Sequence, residues 1–403
     1  MRKASLAALL ALVCLPATPA LASAKKAIHV PYPFIGMNAG TLLMNPKVNL
    51  DNEFRLMAQT GVQRVRELFV WSSAQPYQSM LEVPPSQLGR YQPADGAGCP
   101  TPPMNSSACI PTDWSQIDTM VAGAAARKIR ILPIVEFAPS WAARHPGMSS
   151  SPPKDPEQYA HFMGSLVRRY GPDGTFWTNN PDLPKMAIRD WQVWNEPIYK
   201  VWWSDQPFAA DYVALLQDTR QVVRSLDSHA RIVLAGDPPA QLTKQLEEIY
   251  AAGGRAYFDV AAAHPFTNSA GGVVYIAKLH RRVMNQAGDK HKPLLLTEVT
   301  WPSSKGQTDS HYGYEQTEQG QASKLAAAFK LLAMSRKALN IESIFWYAWL
   351  TPDQDPHYPF DYSGLRKLRD NGPVSKPAFK AFKKTALAFE GCKRKEVATA
   401  CSK

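Results

Sequence analysis

Short apolar runs rich in β-branched residues alternate with segments of helical periodicity along most of the chain. Eight runs read as strands: Phe34–Asn38, Arg64–Trp71, Arg130–Phe137, Asp190–Asn195, Ile232–Ala235, Phe258–Ala263, Pro293–Thr297 and Ser343–Trp349. The segments between them repeat apolar residues at helical spacing. Asn49–Thr60 stops at Gly61, a residue suited to the left-handed position past a helix end. Asp155-Pro156 opens Glu157–Tyr170, with proline in the first turn, where its missing N–H costs nothing. Trp114–Arg127, Phe208–Leu226, Ala240–Ala252, Val273–Gln286, Glu318–Ala338 and Lys376–Phe389 complete the set.

Eight strand–helix units in 403 residues match the arithmetic of an α/β fold of the (β/α)8 TIM-barrel type. A doubly wound open sheet is the alternative. It usually has fewer units, and no glycine-rich phosphate turn follows the first strand here. Pro76–Pro111 is an insertion after the second strand, rich in Pro, Gly and Ser. The expected organisation is a leader over 1–24, one barrel over 25–390 and a tail over 391–403.

The leader is read from Met1-Arg2-Lys3, the apolar stretch Leu6–Leu15 and the small-residue run Ala20–Ala24. That is the pattern of a secretory signal, and its apolar run is too short to span a bilayer. A secreted or periplasmic location follows, with no stable membrane insertion. Loss of the leader removes Arg2 and Lys3 and lowers the formal net charge from +11 to +9. The excess is either an ordinary basic surface or an attraction to an anionic polymer, such as an acidic polysaccharide. No nucleic-acid motif is present. Four cysteines remain as two sequence-local pairs, Cys99/Cys109 and Cys392/Cys401, which in a secreted chain suggests two disulfides. A zinc site is disfavoured, because neither pair has C-x-x-C spacing and no His pair accompanies them.

In a barrel, chemistry comes from the carboxyl ends of strands. The fourth strand ends Trp194-Asn195-Glu196-Pro197 and the seventh ends Leu296-Thr297-Glu298. A carboxylate at each of two apolar strand ends is the pair that retaining glycosidases need, one to protonate the leaving oxygen and one to attack the sugar. The chain contains no H-E-x-x-H, no G-x-S-x-G and no P-loop. No metal or cofactor is expected, and a monomer is.

With these two glutamates, the chain resembles the 4/7 superfamily, clan A, of retaining glycoside hydrolases. Gly61–Arg66, Trp71, Pro76, Trp114 and Asp118 extend the resemblance to glycoside hydrolase family 39 and its bacterial matrix-polysaccharide endoglycosidases. The resemblance implies Glu196 as general acid/base and Glu298 as nucleophile. It implies Asn195 on the sugar 2-hydroxyl, Arg66 beneath the nucleophile, His264 beside it and Trp346 as a sugar platform. Glu136, at the end of the third strand, is a candidate for substrate hydroxyls. Trp141, Trp194 and Trp301, with Trp71, are candidates for stacking sugars around an open groove that would favour endo-attack on a polysaccharide, possibly an anionic one. The counter-readings are a barrel that binds polysaccharide without cleaving it, and a mouth lidded by the insertion that would favour exo-attack on short oligosaccharides.

Overall fold

The computed structural model describes residues 28–95, 109–391 and 393–399. The strand runs become eight parallel barrel strands: β1 (Ile35–Asn38), β2 (Arg64–Val70), β3 (Arg130–Glu136), β4 (Asp190–Val193), β5 (Arg231–Val233), β6 (Ala261–Ala263), β7 (Leu294–Val299) and β8 (Ile341–Trp346). They pair in one sheet from β5 through β1 to β8 and on to β6. The last seam, between β5 and β6, is made by two isolated parallel bridges, Val233–Val260 and Asp237–Ala263. Eight main helices wrap the outside: α1 (Leu50–Gln59), α2 (Ser115–Ala126), α3 (Pro156–Tyr170), α4 (Ala209–Leu226), α5 (Lys244–Ala251), α6 (Ala270–Gln286), α7 (Glu318–Leu339) and α8 (Pro377–Glu390).

Local chemistry sets the helix starts. The Asn49 side chain accepts from Asn52 N at the head of α1, and Asp155 accepts from Glu157 N ahead of Pro156 in α3. α6 begins three residues before the expected Val273. Ser269 caps it by accepting from Gly272 N, which offsets the poor helix propensity of Gly271 and Gly272.

Inward-facing side chains fill the barrel in layers. At the amino ends of the strands, Arg64 and Arg231 pair with Asp190 and Glu342. Above them sits an apolar layer of Leu132, Val233, Val260, Ala262, Leu295 and Phe345. A side chain at Gly36 would come within 2.4 Å of the Phe345 ring, so glycine there makes room for the largest member of the layer. Polar side chains at the carboxyl ends form the third layer, the site below.

One part was not foreseen. A small three-stranded sheet of Leu350–Thr351, Arg366–Arg369 and Gly372–Ser375 follows β8. It is tied to α1 where Glu53 accepts from the Trp349 indole and pairs with Arg366. The described part of the insertion packs against the outer helices. Asp95 pairs with Arg168 in the last turn of α3, and Arg90 pairs with Asp113 just before α2. Residues 96–108 of the insertion lie outside the described residues. Cys109 is buried and disulfide-bonded. Cys99, Cys392, Cys401 and the leader lie outside the described residues.

Candidate active site

Arg66 is the hub of the polar layer. It sits two residues after Arg64 on β2, so both point into the barrel, one at each end. Its Nε donates to Gln192 of β4 at 2.6 Å, Nη1 to Asn38 of β1 at 2.9 Å and to Glu298 of β7 at 2.7 Å, and Nη2 to Asn195 at 3.0 Å. Asn38 in turn donates to Thr297 O, and Gln192 to Leu234 O. One guanidinium thus fixes four side chains from three other strands. A planar five-donor fork does this where an ammonium would not.

Glu196 and Glu298 meet across His264, which stands just past β6. Its Nδ1 lies 2.6 Å from Glu196 Oε1 and its Nε2 lies 3.6 Å from Glu298 Oε1. The ring is fully buried, and Nε2 has no hydrogen-bond partner. Burial pushes the imidazole down to about 4, against the pull of Glu298, so it is neutral at physiological pH. Burial raises the Glu196 carboxyl to about 7, although Arg66 and the Trp202 indole draw it back. One carboxyl is thus poised to be protonated near neutrality, while the other lies in an ion pair with Arg66. That is the division of labour between a proton donor and a nucleophile.

The backbone here is unusual. Trp194 and Glu196 both have left-handed φ values, 61° and 36°, and Phe137 past β3 has 66°. Such conformations in non-glycine residues cost energy and cluster at functional sites. Beneath His264, Gly236 leaves no room for a side chain, since a Cβ there would be 1.9 Å from Nε2. Asp237 beside it pairs with His280 of α6 at 3.1 Å.

Glu136 ends β3 with 4% exposure, and its Oε2 is buried without a hydrogen-bond partner. Burial, with smaller contributions from Glu298 and Glu196, raises it to about 8, with Arg66 opposing.

The tryptophan expectations need correcting. Trp71, Trp194, Trp301 and Trp346 are all fully buried. Trp71 packs on Tyr159 and Phe162, and Trp194 on Trp203 and Tyr159. Trp346 packs on Trp301 and on Phe329 of α7. The reason is strand parity: Phe345 points into the barrel, so Trp346 points out. The residue that faces the carboxylates is Tyr347. Trp141 is half-buried, with its indole donating to Gln75 O.

Aromatic surface at the mouth comes instead from residues the strand pattern did not single out. Phe360 gathers Phe266, Tyr312, Tyr314 and Tyr347 about itself at centroid distances of 4.9, 5.3, 6.2 and 6.0 Å. Tyr312 and Tyr358 are 45% and 43% exposed. Tyr347 and Tyr358 are pushed up by burial and by the charge of Glu298 and Glu196, and Tyr314 by burial, Tyr312, Glu315 and Glu196, which places their phenols beside the site. Across the cleft Trp202, half-buried, packs on Phe137. These residues lie in loops, where no periodicity marks them. Asn38 and Gln192 were also missed, although a polar residue within an apolar strand is the signal that marks each.

Among the described residues no cluster of His, Cys, Asp and Glu could hold a metal ion, and no helix is long and apolar enough to cross a membrane. No protein-family model matches the chain, and no curated protein does. Solved structures do match its fold. A family 39 glycoside hydrolase from Bacteroides cellulosilyticus WH2 superposes with a TM-score of 0.61 at 16% identity over 87% of this chain. The chain spans 63% of that protein's length. A monomeric β-xylosidase from Caulobacter crescentus CB15 matches with a TM-score of 0.58 at 16% identity, over 89% of this chain and 68% of its own. The GH53 catalytic domain of Ignisphaera aggregans matches with a TM-score of 0.51 at 16% identity, over 86% and 90% respectively. At these identities the likeness is one of fold, the TIM barrel that clan A glycoside hydrolases share.

Proposed function

We propose that the protein is a retaining glycoside hydrolase of the clan A type, acting on a polysaccharide outside the cytoplasm. The observation that carries the reading is the meeting of Glu196 and Glu298 on one buried imidazole, with Arg66 bound to Glu298 alone of the two. In the Nδ1–H tautomer His264 donates to Glu196 Oε1 and leaves Oε2 to carry the transferable proton. Glu196 gives that proton to the glycosidic oxygen as Glu298 attacks the anomeric carbon. The carbon–oxygen bond breaks and a glycosyl ester forms on Glu298. Water then gives a proton to Glu196 and attacks the same carbon, which frees Glu298 and restores Glu196 as the acid. Asn195, held by Arg66, is positioned for the sugar 2-hydroxyl.

Endo-attack is supported by aromatic residues beside both carboxyls, the Trp202 indole hydrogen-bonded to Glu196 and the exposed Tyr358 next to Glu298. Sugar units on both sides of the cleaved bond would find an aromatic face. A Cys99–Cys109 disulfide would close the insertion on itself, and the leader would direct the chain to the oxidising compartment that such a bond needs. The test is a screen of the protein and its Glu298→Gln variant against polysaccharides, with product sizing and NMR of the first-formed anomer. Oligosaccharides released with retained configuration support the reading. First-formed products of inverted configuration, or carboxyl groups found roughly 6.5–9.5 Å apart rather than roughly 5–5.5 Å, would sink the mechanism.

A further inference from the structure

Charge is unevenly divided around the outer wall of the barrel. Helices α1 to α5 carry six basic residues and eight acids. Their basic residues Arg168, Arg169, Arg220, Arg224 and Lys244 all sit in ion pairs. Helices α6, α7 and α8 carry ten basic residues and two acids. Both acids are already taken, Glu318 by Lys367 and Glu390 by Arg394. Seven of the ten cations are exposed and have no ion-pair partner among the described residues. Lys278 and Arg282 lie on α6, Lys330 and Lys337 on α7, and Lys380, Lys383 and Lys384 on α8.

The three helices pack side by side, and contacts between them fix their relative levels. Lys324 Nζ donates to Asn268 O and Arg281 Nε to Leu339 O, which sets Tyr275 of α6 level with Leu331 of α7. Phe329 packs on Phe382 with ring centroids 5.6 Å apart, which sets Lys383 and Lys384 of α8 level with Lys330 and Leu331. Apolar side chains thus stand in the middle of a cationic wall. Leu331, Met334 and Tyr275 are 37%, 61% and 60% exposed. Leu331 and Met334 are three residues apart, so they share one ridge of α7. Grouped cations repel one another, and an anionic partner relieves them. A soluble acidic polymer would use the cations and leave the ridge in water. An anionic bilayer uses both: its headgroups meet the ammonium groups, while Leu331 and Met334 enter the interface.

We propose that the wall formed by α6, α7 and α8 is a docking surface for an anionic lipid bilayer, with α7 as the ridge that touches it. In the barrel each strand runs toward the cleft and each helix runs back, so residues 330–337 lie in the half of α7 away from the mouth. A molecule adsorbed by this wall keeps its cleft open to the side. The association is peripheral, with no segment of the wall crossing the bilayer.

The experiment is co-sedimentation of the whole protein with vesicles of equal parts phosphatidylglycerol and phosphatidylcholine, beside vesicles of phosphatidylcholine alone. Lys330→Glu/Lys383→Glu/Lys384→Glu is compared with Lys128→Glu/Lys185→Glu/Lys200→Glu, which changes the net charge equally at exposed positions elsewhere. Each cation near an anionic surface contributes up to about fivefold in affinity. The expected result is binding to the anionic vesicles alone, weakened at least about tenfold in the first triple variant and far less in the second. Leu331→Ser/Met334→Ser should also weaken it. Thermal melts show that each variant is folded, and Lys383→Glu alone repeats the comparison if a triple variant melts early. No binding to anionic vesicles overturns the proposal, as does an equal loss in the two triple variants. Vesicle binding that Leu331→Ser/Met334→Ser leaves unchanged, or binding of soluble polygalacturonate without vesicle binding, assigns the wall to acidic polymers and overturns it too.

Discussion

Gly236→Ala adds a single methyl group directly beneath the imidazole that joins the two carboxyls. The new Cβ would lie 1.9 Å from His264 Nε2 and 2.4 Å from the two adjoining ring carbons. Ordinary contact needs ~3.5 Å or more, so the ring must retreat by about 1.5 Å. It is fully buried, and the 2.6 Å contact from its Nδ1 to Glu196 is lost in the movement. Overpacking of this kind costs about 1–3 kcal/mol of stability, which a domain of this size survives as a modest fall in melting temperature. The effect on rate is larger, because a displacement of about 1 Å in a catalytic group costs on the order of 100-fold. Loss of the N–H that donates to Glu196 also raises the pKa of its carboxyl, so the alkaline limb of the pH profile should move to higher pH. The assay is reducing-end release across pH, beside thermal melts. Gly271→Ala is the control, since a methyl there meets nothing within 4 Å. A Gly236→Ala protein with unchanged turnover and pH profile would refute the role given to His264.

Other outcomes follow from the same site. Glu298→Gln should remove turnover while leaving the melting transition and sugar binding nearly intact; loss of the fold would mark Glu298 as structural instead. In the wild-type protein, activity should decline as pH rises through about 7, the value to which burial raises Glu196, because the general acid is then lost. Glu136→Gln should be neutral for stability near pH 4 and stabilising by up to about 3 kcal/mol at pH 7, read by denaturant unfolding. The sign follows because a carboxyl raised to about 8 when folded stays protonated while its unfolded counterpart ionises from about 4.5 upward. The stability it allows is therefore full below about 4.5 and lost as pH rises through about 8. Arg66→Ala should destabilise the fold by leaving part-buried Glu298 without its cation, and Arg66→Lys should keep the charge yet lose activity, because an ammonium cannot hold four side chains from three strands at once.

The barrel was legible because its strands are buried on both faces and read as apolar runs, and because proline, asparagine and glycine marked the helix ends. Glu196 and Glu298 were legible for a related reason: a carboxylate ending an apolar strand has few bland explanations. Trp346 shows where such reading stops. Position along a strand says nothing about face until the parity of one neighbour is known, and here the Gly36–Phe345 contact sets it. Gly236 has ordinary backbone angles, so no turn pattern announces it, and its role exists only through a ring that arrives 28 residues later in His264. Tyr314, Tyr358 and Phe360 lie in irregular segments, where sequence carries no periodic signal at all. The small sheet after β8 was missed because its strands are two to four residues long.

The seam between β5 and β6 divides the molecule in an instructive place. It rests on two isolated bridges where the other strand pairs form ladders, that between β7 and β8 with two register shifts. A chain cut in the exposed turn at Ala252–Gly253, between α5 and β6, would give two fragments, each holding one of the two reactive carboxyls. Glu196 and Arg66 would go with the first piece, Glu298 and His264 with the second. Neither half would have a complete site, and each would leave open strand edges for the other to cover. Co-expressed, the halves would form a split enzyme whose hydrolysis reports reassembly directly, since Arg66 reaches Glu298 across 232 residues only when the cylinder is whole.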